Sequence, residues 1–269
     1  MTSRLHKYTL SALITLFLTL PAFAGEQMKS FTSVWSTLDK VPFDVSETKP
    51  EKFRRQLVKG HTLDLAKLHI FAETIPAGAA APARVKPDYF EELMIVQKGE
   101  LKVSVADSKV VTYGPGSVVV TMPGEKREFT NAGNGAATYY IFNYRSHLPP
   151  NISRAKQEGG SIMVDWDNVE YVASDIGGRR DMFDRPTAMF ERFEMHVSTV
   201  NKGLTNHPAH THRAEEFVLM IEGEVAMLVG DETVKASAGD LVYLESMIPH
   251  SLNNTGKGAT TYFAFQFWQ

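Results

Sequence analysis

The sequence predicts an all-β chain folded as two similar antiparallel barrels in tandem. Three observations carry that expectation. The chain repeats itself, its apolar residues alternate over short runs broken by glycine and aspartate, and amphipathic helical runs are scarce.

The repeat is direct. "EELMIVQKGE" (91–100) matches "EEFVLMIEGE" (215–224) at an offset of 124, and "GNGAATYYIFNY" (133–144) matches "GKGATTYFAFQF" (256–267) at 123. Between them Gly116 pairs with Gly239 and Asn131 with Asn254, so one single-residue insertion accounts for the change of offset. Two similar units of roughly ninety residues in 269 imply a duplicated domain.

The strands can be placed within the second unit. Val225–Val229 precedes a turn at Gly230-Asp231, Thr233–Ala236 follows, and a second turn at Ala238–Asp240 leads into Leu241–Leu244. Strands this short, punctuated by Gly and Asp, build a sandwich or small barrel.

The ends and the middle follow from composition. "MTSRLHKYTLSALITLFLTLPAFAGEQ" has a basic start (Arg4, Lys7), an apolar run (Leu10–Leu20) and a small-residue cleavage site at Ala22-Phe23-Ala24. Residues 1–24 therefore read as a signal peptide cleaved after Ala24, which places the mature protein in the periplasm or outside the cell without a stable membrane anchor. Residues 25–147 form the first barrel, 148–190 the Pro-, Gly- and charge-rich connection, and 191–269 the second barrel. There is no cysteine, which excludes disulfides and thiolate chemistry. The net charge of −3 gives no basic face for nucleic acid.

Three of the nine histidines fall within "NHPAHTH" (206–212). On a strand His210 and His212 share a face, and Glu216 opens the next apolar run. His250 lies further on, in "IPHSLNN". Imidazoles grouped with a carboxylate suit a divalent transition metal. His207 precedes a proline and reads as a loop residue near the barrel mouth.

These residues resemble the cupin superfamily. Its first motif, G-x5-H-x-H-x3-4-E-x6-G, fits His210, His212, Glu216 and Gly223, with the leading glycine one place out at Gly203. Its second, G-x5-P-x-G-x2-H-x3-N, fits Gly239, His250 and Asn254, with Glu245 and Met247 in place of the internal Pro and Gly. The resemblance implies two tandem jelly-roll (double-stranded β-helix) barrels. It also implies one divalent metal (Mn, Fe, Ni or Zn) held by His210, His212, Glu216 and His250, with Glu216 as a possible proton carrier. There is a weaker resemblance to ureidoglycine aminohydrolase-like bicupins. Oxidative bicupins of the quercetin dioxygenase and oxalate decarboxylase kinds share the ligand set.

Carried back along the repeat, His210, His212 and His250 become Lys86, Asp88 and Arg127, while Glu216 remains Glu92. Cations repel a metal, so the first barrel is expected to be metal-free, with Lys86–Glu92 or Arg127–Asp88 pairing inside it.

Arg179, Arg180, Arg185 and Arg192 precede the metal-bearing strands and are candidates to bind a substrate carboxylate, although Asp181, Asp184 and Glu191 are placed to neutralise them. Phe190, Phe193 and Met195 read as core, and Phe217 and Tyr243 as pocket lining or barrel packing. The expected function is that of an exported metal-dependent enzyme, hydrolytic or oxidative, acting on a small polar molecule. The alternative is a non-catalytic barrel that binds a small ligand or a metal. Open edge strands make a homodimer the default assembly.

Overall fold

The computed structural model describes residues 54–81, 84–85 and 89–269. The expected signal peptide, Lys86 and Asp88 lie outside these.

The first barrel comprises β1 (Arg54–Gly60), β2 (Leu65–Ile75), β3 (Arg84–Val85), β4 (Glu91–Lys98), β5 (Leu101–Val105), β6 (Val111–Tyr113), β7 (Val118–Thr121), β8 (Lys126–Asn131) and β9 (Ala137–Ser146). A short helix, α1 (Ile152–Gln157), follows, then β10 (Ile162–Val164), β11 (Val172–Ser174) and β12 (Gly177–Arg185). The second barrel continues with β13 (Arg192–Val200), β14 (Glu215–Glu222), β15 (Glu224–Val229), β16 (Glu232–Ser237), β17 (Leu241–Leu244), β18 (His250–Asn254) and β19 (Thr260–Trp268).

Each barrel sets a six-stranded sheet against a smaller one. The large sheets run β1-β2-β9-β4-β7-β10 and β11-β12-β13-β19-β14-β17. The small sheets run β3-β8-β5-β6 and β16-β15-β18. The strands expected from β15 to β17 are present within a residue or two of their predicted bounds.

The connection expected at 148–190 is corrected by the pairing. β10 joins the first barrel by pairing with β7, whereas β11 and β12 belong to the second barrel through β13. The segment hides its strands because β11 is exposed throughout and β12 alternates irregularly across a bulge at Asp181/Phe183. The period-two apolar signal is absent there.

Alternation on the central strands decides where the cores lie. On β14, Val218 and Met220 face the interior of the second barrel, while Phe217 and Leu219 face the first barrel. β4 does the same with Met94 and Val96 inward, Leu93 and Ile95 outward. The largest core is therefore the layer between the two large sheets, where Phe142 meets Phe217 and Phe265 and Tyr144 stacks on Phe190. Phe190, Phe193, Met195, Phe217 and Tyr243 all belong to this layer, and none of them lines a metal pocket.

The paired glutamates of the repeat follow the same rule. Glu91 and Glu215 turn outward and tie one half to the other. Glu215 accepts hydrogen bonds from Thr62 Oγ1 (2.8 Å), the Asp64 amide (2.7 Å) and the Tyr243 hydroxyl. Glu91 accepts from Thr187 Oγ1 (2.8 Å), the Tyr144 hydroxyl (3.0 Å) and the Ala188 amide (3.3 Å). Their partners Glu92 and Glu216 turn into the barrels.

Gly99 and Gly223 close the hairpins that follow. Each has φ near +80°, and a Cβ there would lie within 3 Å of the backbone of Ala137 or Thr260 respectively. Only glycine meets both demands.

Burial pushes the Glu91 carboxyl up to about 7, against the three hydrogen bonds it receives. The native state thus holds this proton more tightly than the unfolded chain. Stability from this group is full below pH 4.5 and falls as pH rises through 7, by about 3 kcal/mol. Urea unfolding at pH 5 and pH 8 should show that Glu91→Gln removes about this much of the wild-type pH dependence.

Candidate metal centre

The segment from Asn206 to Ala214 is irregular, not the strand expected from the His-x-His pattern. It is held by isolated bridges. His210 exchanges both backbone hydrogen bonds with His250, at 3.2 and 3.0 Å, and the His212 carbonyl accepts from the Met247 amide at 2.8 Å. These contacts place the two halves of the site together across the barrel. Met247 occupies a left-handed turn at φ 63°, where the first barrel has Gly124 at φ 81°. The departure from the family pattern at Met247 thus sits in a turn.

The ring nitrogens of His210, His212 and His250 converge to within 4.8 Å of one another. His250 is buried, His212 half-buried and His210 exposed at the mouth. His212 Nδ1 lies 2.9 Å from the Ala214 carbonyl, and His250 Nδ1 lies 2.9 Å from the Ile248 carbonyl. A carbonyl accepts only, so both Nδ1 atoms carry protons and both Nε2 atoms are left to face the cluster.

Glu216 completes the group from the inward face of β14. Its Oε2 is 3.1 Å from His212 Nε2 and 3.9 Å from His250 Nε2, and it accepts from Gln266 Nε2 at 3.1 Å. The donor set fits a divalent transition metal: three imidazoles oriented by backbone carbonyls, and one carboxylate held by an amide.

The charges agree with this arrangement. Burial would raise the Glu216 carboxyl, but the His212 hydrogen bond and the His250 and His212 charges hold it below the usual carboxylate range. The hydrogen bond to Glu216 raises His212. Burial lowers His250, and burial with the neighbouring imidazoles lowers His210. Two of the three imidazoles are thereby biased to the neutral form that coordination needs.

A cavity of about 480 Å³ opens beside the triad, lined by His196, His207, His210, Glu216, Ala264 and Gln266 among others. That volume suits a small molecule. His207 stands at the mouth with its ring 4.2 Å from that of His210.

The candidate arginines do not converge on this cavity. Arg179 alone lines it, with its guanidinium held by Asp181 and Glu194. Arg180 donates to the Val169 carbonyl and lies over Trp166, Arg185 donates to Gly160, and Arg192 forms a fork on Asp184. Acidic neighbours and backbone carbonyls satisfy the cluster locally. Sequence reading passed over Glu194, His196 and Gln266, which stand on other strands. Only their alternation on β13 and β19 could have drawn attention to them.

In the first barrel Arg127 and Glu92 are wholly buried and paired, Nε to Oε1 at 2.7 Å, with the guanidinium stacked 4.2 Å from the Phe129 ring. Among the described residues the partner is Glu92; the expected Asp88 lies outside them. The residue opposite Arg127 in the ladder is Arg84, as His210 is opposite His250, so this stretch is offset by 126 and not 124.

Residues 71–143 and 196–265 each match the cupin domain family. Together they make up more than half of the chain, and the protein belongs to the cupin family, in its two-barrel form. AerE from Microcystis aeruginosa shares 13% identity at a TM-score of 0.60, over 80% of this chain and 97% of that one. An oxalate decarboxylase from Lactobacillus farciminis, as its formate complex, shares 12% at 0.63, over 80% and 81%. Ylba from E. coli shares 12% at 0.58, over 78% and 87%. At these identities the likeness is one of fold. No curated protein matches the sequence significantly.

The first barrel is thus closed by an ion pair in the place of a metal. Arg127→Ala should destabilise the protein by about 3–5 kcal/mol, because Glu92 is left buried and unpaired. The double variant Arg127→Met/Glu92→Leu should recover most of that loss, as read by chemical denaturation.

Proposed function

We propose that this protein is an exported, metal-dependent bicupin enzyme that acts on a small polar molecule in the second barrel, by hydrolytic or oxidative chemistry. The observation that carries the reading is the convergence of three imidazoles and a buried carboxylate, of which His210, His250 and Glu216 line a cavity of about 480 Å³. The finer reading, of the ureidoglycine aminohydrolase kind, rests on the weaker resemblance of the sequence.

In this reading His210, His212, His250 and Glu216 hold one Mn, Fe, Ni or Zn ion, which supplies Lewis acidity to an oxygen of the bound molecule. The chain's own residues do the rest. Two backbone carbonyls fix the ring orientations of His212 and His250. Gln266 fixes the Glu216 carboxylate, which is placed to carry a proton at Oε2. The apolar wall of Val218, Met227, Leu244 and Leu252 limits water around the reacting atoms. Residues 1–24 direct export, and β1 and β11, which are edge strands among the described residues, support a homodimer.

Elemental analysis of mature protein, purified without added metal, tests this reading. The wild type should carry about one equivalent of transition metal per chain, and His210→Ala/His212→Ala none. Protein that is metal-free and gains no stability from added metal would contradict it.

A further inference from the structure

The cavity beside the triad has a second pole. Glu194 and His196 stand two residues apart on β13 and share its inward face. His196 Nδ1 lies 2.7 Å from Glu194 Oε1, and the same oxygen accepts from Arg179 Nη2 at 2.8 Å. Arg179 Nε in turn donates to Asp181 at 2.5 Å. A carboxylate already receiving an arginine has no proton to offer, so Nδ1 carries the proton, and in the neutral ring Nε2 holds the lone pair. Nε2 makes no hydrogen bond among the described residues, and the ring lines the cavity.

The first barrel provides an internal comparison. Across β13, β19 and β14, His196 pairs with Ala264 and Ala264 with Val218. The equivalent row across β2, β9 and β4 reads Phe71, Ile141 and Met94, all packed in the first barrel's core. Three bulky apolar side chains close one interior. An imidazole, a methyl group and a short branched chain leave the other open, and the cavity lies there. A buried imidazole in the place of phenylalanine sacrifices packing and demands polar partners, which is the mark of a functional position.

We propose that His196 accepts the hydrogen bond, and then the proton, of the molecule bound in this cavity. That molecule is neutral and carries a hydroxyl or amide N–H beside the oxygen that faces the triad. The proposal rests on the metal-dependent reading above. The proton passes from the O–H or N–H to Nε2, the electron pair stays on the oxygen or nitrogen, and the imidazolium is balanced by Glu194. The His196 end of the cavity does not favour a second negative charge, because Asp181 stands beside His196 and Arg179, the one arginine or lysine of the lining, is already held by Asp181 and Glu194.

The test measures the manganese(II) content of the wild type, His196→Phe and His196→Gln, then titrates glycolamide and oxalate into each manganese-loaded protein by calorimetry. All three should hold about one manganese per chain. Glycolamide should lose about tenfold in affinity in His196→Phe and recover part of it in His196→Gln, whereas oxalate, which has no proton to give, should change by less than about twofold. Nitrogen-15 NMR of the metal-free wild type should show His196 protonated at Nδ1. Equal glycolamide affinity in wild type and His196→Phe, an equal loss for oxalate, no glycolamide binding, or a neutral ring with its proton on Nε2 would each overturn the proposal. Manganese missing from the wild type would instead overturn the metal-dependent reading, and the NMR result would then decide on His196 alone.

Discussion

Period-two alternation across two pairs of adjacent glutamates organises this molecule. A β-strand sends neighbouring side chains to opposite faces, so Glu91-Glu92 and Glu215-Glu216 each send one carboxylate between the barrels and one inside. The outward pair receives hydroxyl and amide donors from the opposite half and fixes how the large sheets meet. The inward pair sets the chemistry of each interior. A slip of one residue on β4 or β14 would exchange these roles and bury the aromatic layer's residues inside the barrels.

The duplicated frame makes the two interiors directly comparable. Both keep the asparagine brace, in which Asn131 and Asn254 each donate to two backbone carbonyls and accept one amide. Both keep the glycine hairpins. Inside the first barrel, Arg127 neutralises Glu92 and Phe71, Ile141 and Met94 fill the space. Inside the second, imidazoles surround Glu216 and smaller residues leave room. The first barrel therefore contributes half of the inter-barrel core, and the second carries the open polar cavity.

Much of this was legible in the sequence. The repeat gave the two barrels, and the ligand spacing gave His210, His212, Glu216 and His250, because a family motif preserves positions within one turn and one strand. Arg127 announced the closure of the first barrel for the same reason. Three features were not legible. The strands within 148–190 lack an apolar period, so polarity there read as linker. Asp181 and Asp184 hold Arg179 and Arg192 as their spacing allowed, but the other partners, Glu194 for Arg179 and the Val169 and Gly160 carbonyls for Arg180 and Arg185, lie far along the chain. The Glu194–His196 pair and Gln266 meet Glu216 only through ladder pairing across β13, β19 and β14.

Anomalous diffraction from crystals soaked in manganese(II) would test the central claim most directly, that one frame holds one open metal-binding interior and one closed by an ion pair. The account predicts one strong peak per chain, among His210, His212 and His250, and none beside Arg127 and Glu92. A peak in the first barrel, or none at the histidines, would contradict it.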